Sequence, residues 1–434
     1  MSRLVLVVTL GLLTTGYLFS DQRRIGKRHD LSWNPYNQLG TNYGNYEASE
    51  NYPDLSVVGA LIPSSESEDG RGTATLIAPN YVVTAAHVIK NEYQDNPQAE
   101  NWKFVLYYDF GDATSTYVYQ VESFVIHPAW ISRQSTSNPL GDGDELGVDL
   151  ALARLARPVT GVYPARLPDT SDDPLGERAI LAGFGTLVVG DTGITDSSNE
   201  RRVGGENIID RSVAKVSKAG VPESQRGGLL GVDFDSSQNQ HNNLRSGINI
   251  DLLGSGDSQA TPLPLEASTA AGDSGGPAFV RTQGSWRVHG VVSYGTINNG
   301  PRYGDVTVYT RLASHADWLQ QQLPDWPDSR QLTQSNWLEN PWLGIFSPVS
   351  NGWNYHVQLG WLYLPSTKGN SFWAWSNLIS KWIWLSDQAY PFVYCYNQPS
   401  SFWMYLLLES SDGAHIRAYD YSSGSWGTYS GGGS

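Results

Sequence analysis

Runs of five to ten residues rich in Val, Ile, Leu, Tyr and Thr, each closed by Gly, Asp, Asn or Pro, recur from Leu55 through most of this 434-residue chain. That length suits a strand, and the punctuation suits the turn that ends one. A first set is Leu55–Ile62, Thr73–Ile77, Lys103–Tyr108, Tyr117–Ile126 and Leu150–Leu155. A second is Ala179–Phe184, Gly228–Asp233, Pro277–Arg281, Arg287–Tyr294 and Val306–Thr310. Repeated short strands with turn signals predict an all-β architecture of barrels or sandwiches. The length exceeds what one core usually supports, so two or three domains are expected. Only one cysteine, Cys395, is present, so there is no internal disulfide and core size must carry stability.

One helix interrupts the pattern. In Ala313–Leu323, with Leu312 before it, Leu312, Ala316, Leu319 and Leu323 share one face. Pro324-Asp-Trp-Pro327 ends it. The polar stretches Val189–Asn199 and Asp235–Pro264 read as long loops, a length that usually means function or mobility.

The N-terminus reads Met1-Ser-Arg3 and then Leu4–Phe19 without a charge. A positive start and an apolar run predict a secretory signal peptide over 1–20 and a secreted or cell-surface location. An uncleaved N-terminal anchor is the alternative. Arg23, Arg24, Lys27 and Arg28 follow, then an Asn- and Tyr-rich stretch read as irregular, so that 21–53 is an N-terminal segment or pro-region. The formal charge of −15 argues against nucleic acid and anionic membranes as partners. No Cys/His cluster suggests zinc, and neither metal nor cofactor is expected.

Three strings carry chemistry. Ala271-Gly-Asp-Ser-Gly-Gly-Pro277 places glycines around a serine, which permits a tight turn that exposes Oγ. The N–H groups of Gly272 and Ser274 would face the oxygen of an attacked carbonyl. Val82-Val-Thr-Ala-Ala-His87 ends an apolar run with two small residues and a histidine. A serine hydroxyl needs such a base beside it. Gly147-Val-Asp-Leu-Ala-Leu-Ala-Arg-Leu155 puts Asp149 at the head of an apolar strand, where burial demands a partner such as a histidine N–H. Asp142, Asp144 and Glu145 are rivals in a Gly-rich loop read as solvated. Of the other histidines, His127 before Pro128 reads as a turn residue and His289 as a packed strand residue.

The order His87, Asp149, Ser274 and these strings resemble the chymotrypsin-like (trypsin-fold) serine proteases. The likeness covers about 54–323 and includes Ala182-Gly-Phe-Gly185, Ser293-Tyr-Gly295 and Tyr309-Thr-Arg311 before a Trp-bearing helix. It implies two six-stranded antiparallel β-barrels with a C-terminal helix and the three residues in the cleft between them. It also implies that Ser293, Tyr294 and Gly295 form the strand that pairs with substrate backbone. The pocket floor falls on Ser268, with Gly295 and Thr307 on its walls. A neutral floor predicts uncharged, small to medium side chains before the scissile bond, because an unpaired buried cation is costly. Asp305 or Glu266 reaching into the pocket would restore a preference for basic residues. The likeness further implies a freed N-terminus paired with Asp273. Ile25-Gly26 after Arg24 is a candidate, far upstream of His87, and the sequence leaves a zymogen open. Val88 stands where many relatives carry a disulfide cysteine.

Composition changes near Asn336, after a linker at 326–336. Ten of the sixteen tryptophans lie between Trp337 and Trp426. The doublets Trp361/Tyr363, Trp373/Trp375, Trp382/Trp384 and Trp403/Tyr405 put both rings on one face of a strand. They predict a small β-rich module of repeated short strands over 337–428, before a flexible tail at 429–434. With Gly352-Trp353, Leu359-Gly-Trp-Leu-Tyr363 and Tyr390-Pro-Phe-Val-Tyr394, the module resembles aromatic-rich terminal repeats of secreted and surface proteins of bacteria. Its rings form either the core of the module or a surface that stacks on a glycan or cell-surface ligand.

These readings together predict a serine endopeptidase acting on protein or peptide, with no stable membrane span once the signal is removed. A catalytically silent binding protein on the same fold, or a surface-attachment protein using the aromatic module, is the competing function.

Overall fold

A computed structural model describes residues 24–63, 72–90, 98–135, 138, 141–196, 200–238, 241–296, 302–333, 336–367 and 371–431. The expected signal peptide at 1–20 lies outside the described residues; of the expected tail at 429–434, Tyr429 instead ends a strand and 432–434 lie outside the described residues.

Six strands close a barrel in the order Val58–Pro63, Gly72–Ala78, Tyr81–Thr84, Ala151–Leu155, Val118–Ile126, Trp102–Val105. Its interior holds Leu61, Leu76, Trp102 and Phe104, all essentially fully buried. A second sheet runs Val203–Ile208, Arg178–Gly183, Pro277–Thr282, Ser285–Thr296, Val306–Arg311, Leu229–Asp233, Arg211–Val213, with every pairing antiparallel. It has seven strands where six were expected, and it forms a half-barrel because its first and last strands do not pair. The helix Trp33–Gly40 packs against its Val203–Ile208 edge so closely that a Cβ on Gly204 would meet Leu39 Cγ at 2.8 Å.

The Asn- and Tyr-rich stretch after Arg28, read as irregular to about Tyr52, therefore contains a helix. The strand Arg24–Lys27 lies parallel to Thr186–Val189 and antiparallel to Ala267–Ser268, in a four-stranded sheet with Gly193–Asp196. Tyr36 and Leu39 are buried in the same core as the closed barrel, and Tyr36 Oη donates to the Glu266 carbonyl at 2.9 Å. The helix is amphipathic, with Tyr36, Leu39 and Gly40 buried and Trp33 packed on the same core, while the strand Arg24–Lys27 is held by its neighbours in the four-stranded sheet.

At the end of this region Leu312–His315 forms a 3₁₀ turn and Ala316–Gln322 an α-helix, with Leu312, Ala316 and Leu319 inward as the spacing predicts.

Eleven antiparallel strands follow as a meander from Arg330–Gln331 to Ser425–Tyr429, each paired with its sequence neighbours. The stretch 326–336 is not a plain linker: Trp326 lies in the meander's own core and Nε1 donates to Asn354 Oδ1 at 3.2 Å. The buried face of the meander is mainly aliphatic, with Leu362, Ala374, Ile383, Leu385, Val393, Met404, Leu406 and Ala418. The rings of the doublets take the alternate positions and are at least partly exposed, so they do not make this core. Cys395 is fully buried, and burial pushes its thiol up to about 12, which leaves it protonated and inert.

Candidate active site

His87 sits on the short helix Ala86–Ile89, directly after the barrel strand Tyr81–Thr84. Ala85 and Ala86 are fully buried, so the small residues of the string let this turn press on the barrel while the imidazole stays partly exposed. Asp149 precedes the strand Ala151–Leu155, flanked by the fully buried Val148 and Leu150. Ser274 lies on the turn before Pro277–Thr282 of the second sheet.

The closed barrel holds that turn in place. Thr73 N–H donates to the Ser274 carbonyl at 2.8 Å, and Thr73 Oγ1 donates to the Gly272 carbonyl at 2.8 Å. Gly275 has φ +83°, and a Cβ there would meet Thr84 Oγ1 at 2.1 Å and the Thr73 carbonyl at 2.2 Å. Only glycine allows so close an approach between the two sheets. Gly183 and Gly185 serve the same turn: a Cβ on either would strike the Asp273 carboxylate at 2.0 or 2.5 Å. Asp273 is buried there and accepts the N–H of Gly185 at 2.8 Å and of Ala270 at 2.9 Å.

The three expected side chains meet. His87 Nδ1 lies 2.7 Å from Asp149 Oδ2, and His87 Nε2 lies 2.9 Å from Ser274 Oγ. The backbone N–H of His87 also donates to Asp149 Oδ1 at 3.0 Å. A proton on Nδ1, fixed by the carboxylate, leaves Nε2 of the neutral ring as acceptor for the serine hydroxyl. Among the described residues, no acceptor takes the N–H of Gly272 or of Ser274.

Of the three rivals of Asp149, Asp142 and Glu145 are taken up by ion pairs elsewhere, and Asp144 lies beside the site without replacing Asp149 on His87 Nδ1. Asp142 pairs with Arg133 at 2.6 Å and Lys218 at 3.2 Å, and Glu145 pairs with Lys218 at 3.1 Å. Asp144 is not simply solvated, because it accepts Trp130 Nε1 at 2.9 Å. A carboxylate oxygen of Asp144, a ring nitrogen of His87 and an oxygen of Asp149 all lie within 4.8 Å of one another, a spacing that could hold a cation. The bond from Nδ1 to Asp149 makes that nitrogen a proton donor, and the group fits proton transfer better than metal ligation. His127 and His315 pack ring against ring at 4.7 Å, and burial pushes His127 down to about 3 and His315 to about 4. Burial likewise pushes His289 down to about 4. All three stay neutral, as packed residues do.

Ser268, Val292, Gly295, Thr307 and Ser274 all line one pocket. Thr307 Oγ1 accepts from Thr269 Oγ1 at 3.0 Å and lies 3.4 Å from Ser268 Oγ. Asp305 also lines this pocket, with Oδ2 accepting the Arg302 N–H at 3.2 Å; Glu266 does not line it. The strand Ser285–Thr296 pairs with Pro277–Thr282 only as far as Val291, so among the described residues Tyr294 and Gly295 present a strand edge open on one side.

Two groups at the site carry little sequence signal. Ser293 Oγ donates to Asp149 Oδ2 at 2.6 Å, and Thr310 Oγ1 donates to the Asp149 carbonyl at 2.9 Å. Both stand in strings already singled out, yet only their place in the sheet reveals the role. Behind the floor, Asp210, Asp233, Asp235 and Glu266 are buried as well. Burial and then Asp233 push Asp210 up to about 8, burial and then Asp233 push Asp235 up to about 8, and burial raises Glu266 well above the ordinary glutamate range. Three of them hold the long segment 235–264, accepting the N–H groups of Gln259, Leu244 and Leu263 at 3.1, 2.8 and 2.8 Å.

A sequence profile of the family described as trypsin matches residues 64–319, and so ends before the eleven-stranded sheet. The chain is 27% identical over 263 residues to a vitamin K-dependent protein C of Oryctolagus cuniculus, covering 57% of this chain and 45% of that one. It is 26% identical over 246 residues to Trypsin Tyr p 3.0101 of Tyrophagus putrescentiae, covering 57% and 70%. To a tryptase of Mus musculus it is 25% identical over 256 residues, covering 58% and 77%. The chain thus spans less than half the length of the first of these relatives.

Proposed function

The chain belongs to the trypsin family, and from that premise we propose that it is a secreted serine endopeptidase cleaving after uncharged, small to medium residues. Ser274 Oγ attacks the scissile carbonyl while His87 Nε2 takes its proton. Asp149 holds the ring in the productive tautomer and stabilises the imidazolium. The N–H groups of Gly272 and Ser274 receive the developing oxyanion, a contribution of about 3–4 kcal/mol per donor. His87 returns the proton to the leaving amine, and water then releases the acyl group from Ser274 by the same steps in reverse.

The observation that carries this reading is the continuous path from Asp149 through His87 to Ser274, with spacings of 2.7 and 2.9 Å. Short bonds on both sides of one imidazole argue against a catalytically silent binding protein. The neutral Ser268 and the bulk of Thr307 support the uncharged preference. Asp305 in the pocket lining favours a second reading with basic specificity. A panel of chromogenic peptides separates the two, and strong preference for Arg or Lys sinks the first.

Secretion rests on the charge and hydropathy of 1–20, and no described helix is long and apolar enough to cross a membrane. The aromatic sheet would serve attachment to a glycan or cell-surface ligand. The function test is labelling by an active-site serine phosphonate. We expect one label per chain in the mature protein and none in Ser274→Ala. A mature protein that stays unlabelled, before and after proteolytic trimming, removes the peptidase reading.

A further inference from the structure

The outer face of the C-terminal sheet presents aromatic rings in cross-strand register. Trp373, Trp384, Tyr394 and Trp403 stand directly opposite one another across four consecutive strands. At the usual strand spacing this row is about 14 Å long. Trp353 and Tyr363 pair beside it at 5.5 Å, Trp375 and Trp382 at 6.1 Å, and Tyr405 and Trp426 at 6.3 Å. Trp361, Trp373 and Trp403 are 42%, 40% and 40% exposed with the whole chain in place, so the protease region does not cover them. At one end of the row Phe392, Phe402, Trp403 and Tyr421 enclose an open hollow with the hydroxyls of Ser401 and Ser422 at its rim.

The chemistry of this face selects its occupant. From Trp353 to Tyr429, Arg417 is the only charged residue at an outward position of a described strand, and its guanidinium lies over the Trp426 ring at 5.5 Å. The chain as a whole carries −15, so the near absence of charge is local to this face. A polyanion would find one cation there, and a basic ligand none of the carboxylates it needs. The aliphatic side chains lie mainly on the inner face, so the rings stand with serine hydroxyls and their own N–H and O–H groups around them. The rings of the row are tilted against one another, by 65° for Trp373 and Tyr394, 82° for Trp384 and Trp403 and 58° for Tyr394 and Trp403, so they offer apolar faces and polar edges at intervals along a line, and such a line complements a chain of pyranoses. Each sugar offers an apolar C–H face ringed by hydroxyls.

We propose that the outer aromatic face is a docking surface for an uncharged, linear polysaccharide whose pyranose faces stack on the Trp373–Trp384–Tyr394–Trp403 row. It deepens the attachment reading of the sheet given above and rests on that reading. The peptidase would then act while held on a solid glycan support.

The test uses the full chain carrying Ser274→Ala, so that retention is read without proteolysis. Particles of cellulose, chitin, mannan and xylan are the probes. We expect depletion onto at least one of them, undiminished in molar NaCl, and a change in tryptophan fluorescence on titration with the matching soluble hexasaccharide. Trp373→Ala with Trp403→Ala weakens binding about tenfold per ring, as truncation of central aromatic contacts does. Trp373→Tyr with Trp403→Tyr, which keeps a ring at each place, retains most of it. Four outcomes overturn the proposal: no retention on any particle, equal retention by the alanine variant, loss of retention in salt, or preference for heparin or for vesicles of anionic lipid. Failed phosphonate labelling of the unaltered protein would instead remove the peptidase reading and leave particle binding untouched.

Discussion

The hydroxyl of Ser293 donates to Oδ2 of Asp149 at 2.6 Å, the same oxygen that meets His87 Nδ1. The strand carrying Ser293 explains why. Val292 pairs with Tyr309 and Tyr294 with Val308, so Ser293 is the extra residue of a bulge. A bulge turns one side chain out of the strand's alternation. Here it turns the serine toward the carboxylate, while its neighbours Tyr294 and Gly295 keep the open strand edge.

Ser293→Ala removes a hydrogen bond to a buried charge, a loss of about 1.5–3 kcal/mol. We expect kcat to fall about ten- to a hundredfold with KM for a short peptide little changed. A KM effect without a kcat effect would place Ser293 in substrate binding alone. Asp149→Asn should cost about 10⁴ in kcat near neutral pH, by presenting the wrong tautomer.

The N-terminal strand bears on activation. Gly26 lies opposite Ser268, and Arg24 opposite Thr186, next to the Gly185 whose N–H holds Asp273. Cleavage after Arg24 would free the Ile25 amine close to that buried carboxylate. Arg24→Gln should block both trimming and phosphonate labelling, and N-terminal sequencing of the active protein should begin Ile25-Gly26. An active enzyme starting elsewhere, or a labelled Arg24→Gln, sinks this assignment.

Thr307 should set the depth of the pocket. Thr307→Gly opens space above Ser268 and is expected to raise kcat/KM for large residues such as Phe or Tyr at least tenfold relative to Ala. An unchanged ranking would show that another wall is limiting.

Stability should fall as the pH rises towards about 8. Asp210 and Asp235, raised to about 8, remain protonated in the folded chain while the unfolded chain has already released those protons. Their stabilisation is complete below the ordinary aspartate range and is lost progressively as pH rises to about 8. Buried His127, His289, His315 and His356 oppose this only below their usual 6.5, where the unfolded chain takes up protons first. Urea midpoints of the Ser274→Ala protein should therefore drop between pH 6.5 and 8, and Asp210→Asn should flatten the drop. A midpoint that holds or rises over that interval contradicts the assignment.

Strand-length runs, the turn glycines and the order His87, Asp149, Ser274 are local properties, and the sequence alone determined them. A glycine that must admit Thr84 Oγ1 within 2.1 Å of its missing Cβ leaves its mark in the string around Ser274. So does an acid at the head of an apolar strand. Only the tertiary structure decided what depends on distant partners. The helix Trp33–Gly40 puts Tyr36, Leu39 and Gly40 on one face, but only the strand Val203–Ile208 that receives this face decides where it is buried. Ser293 serves Asp149 because pairing with Val308 and Tyr309 forces a bulge. The doublets in the C-terminal sheet fixed that paired rings share a face, but apolar residues fill both faces, so alternation could not say which face is outside. The sheet bends back until Gln358 Nε2 reaches the Leu408 carbonyl at 3.2 Å. That curl leaves room inside for Leu, Ile, Val and Ala, and the larger rings take the outer side.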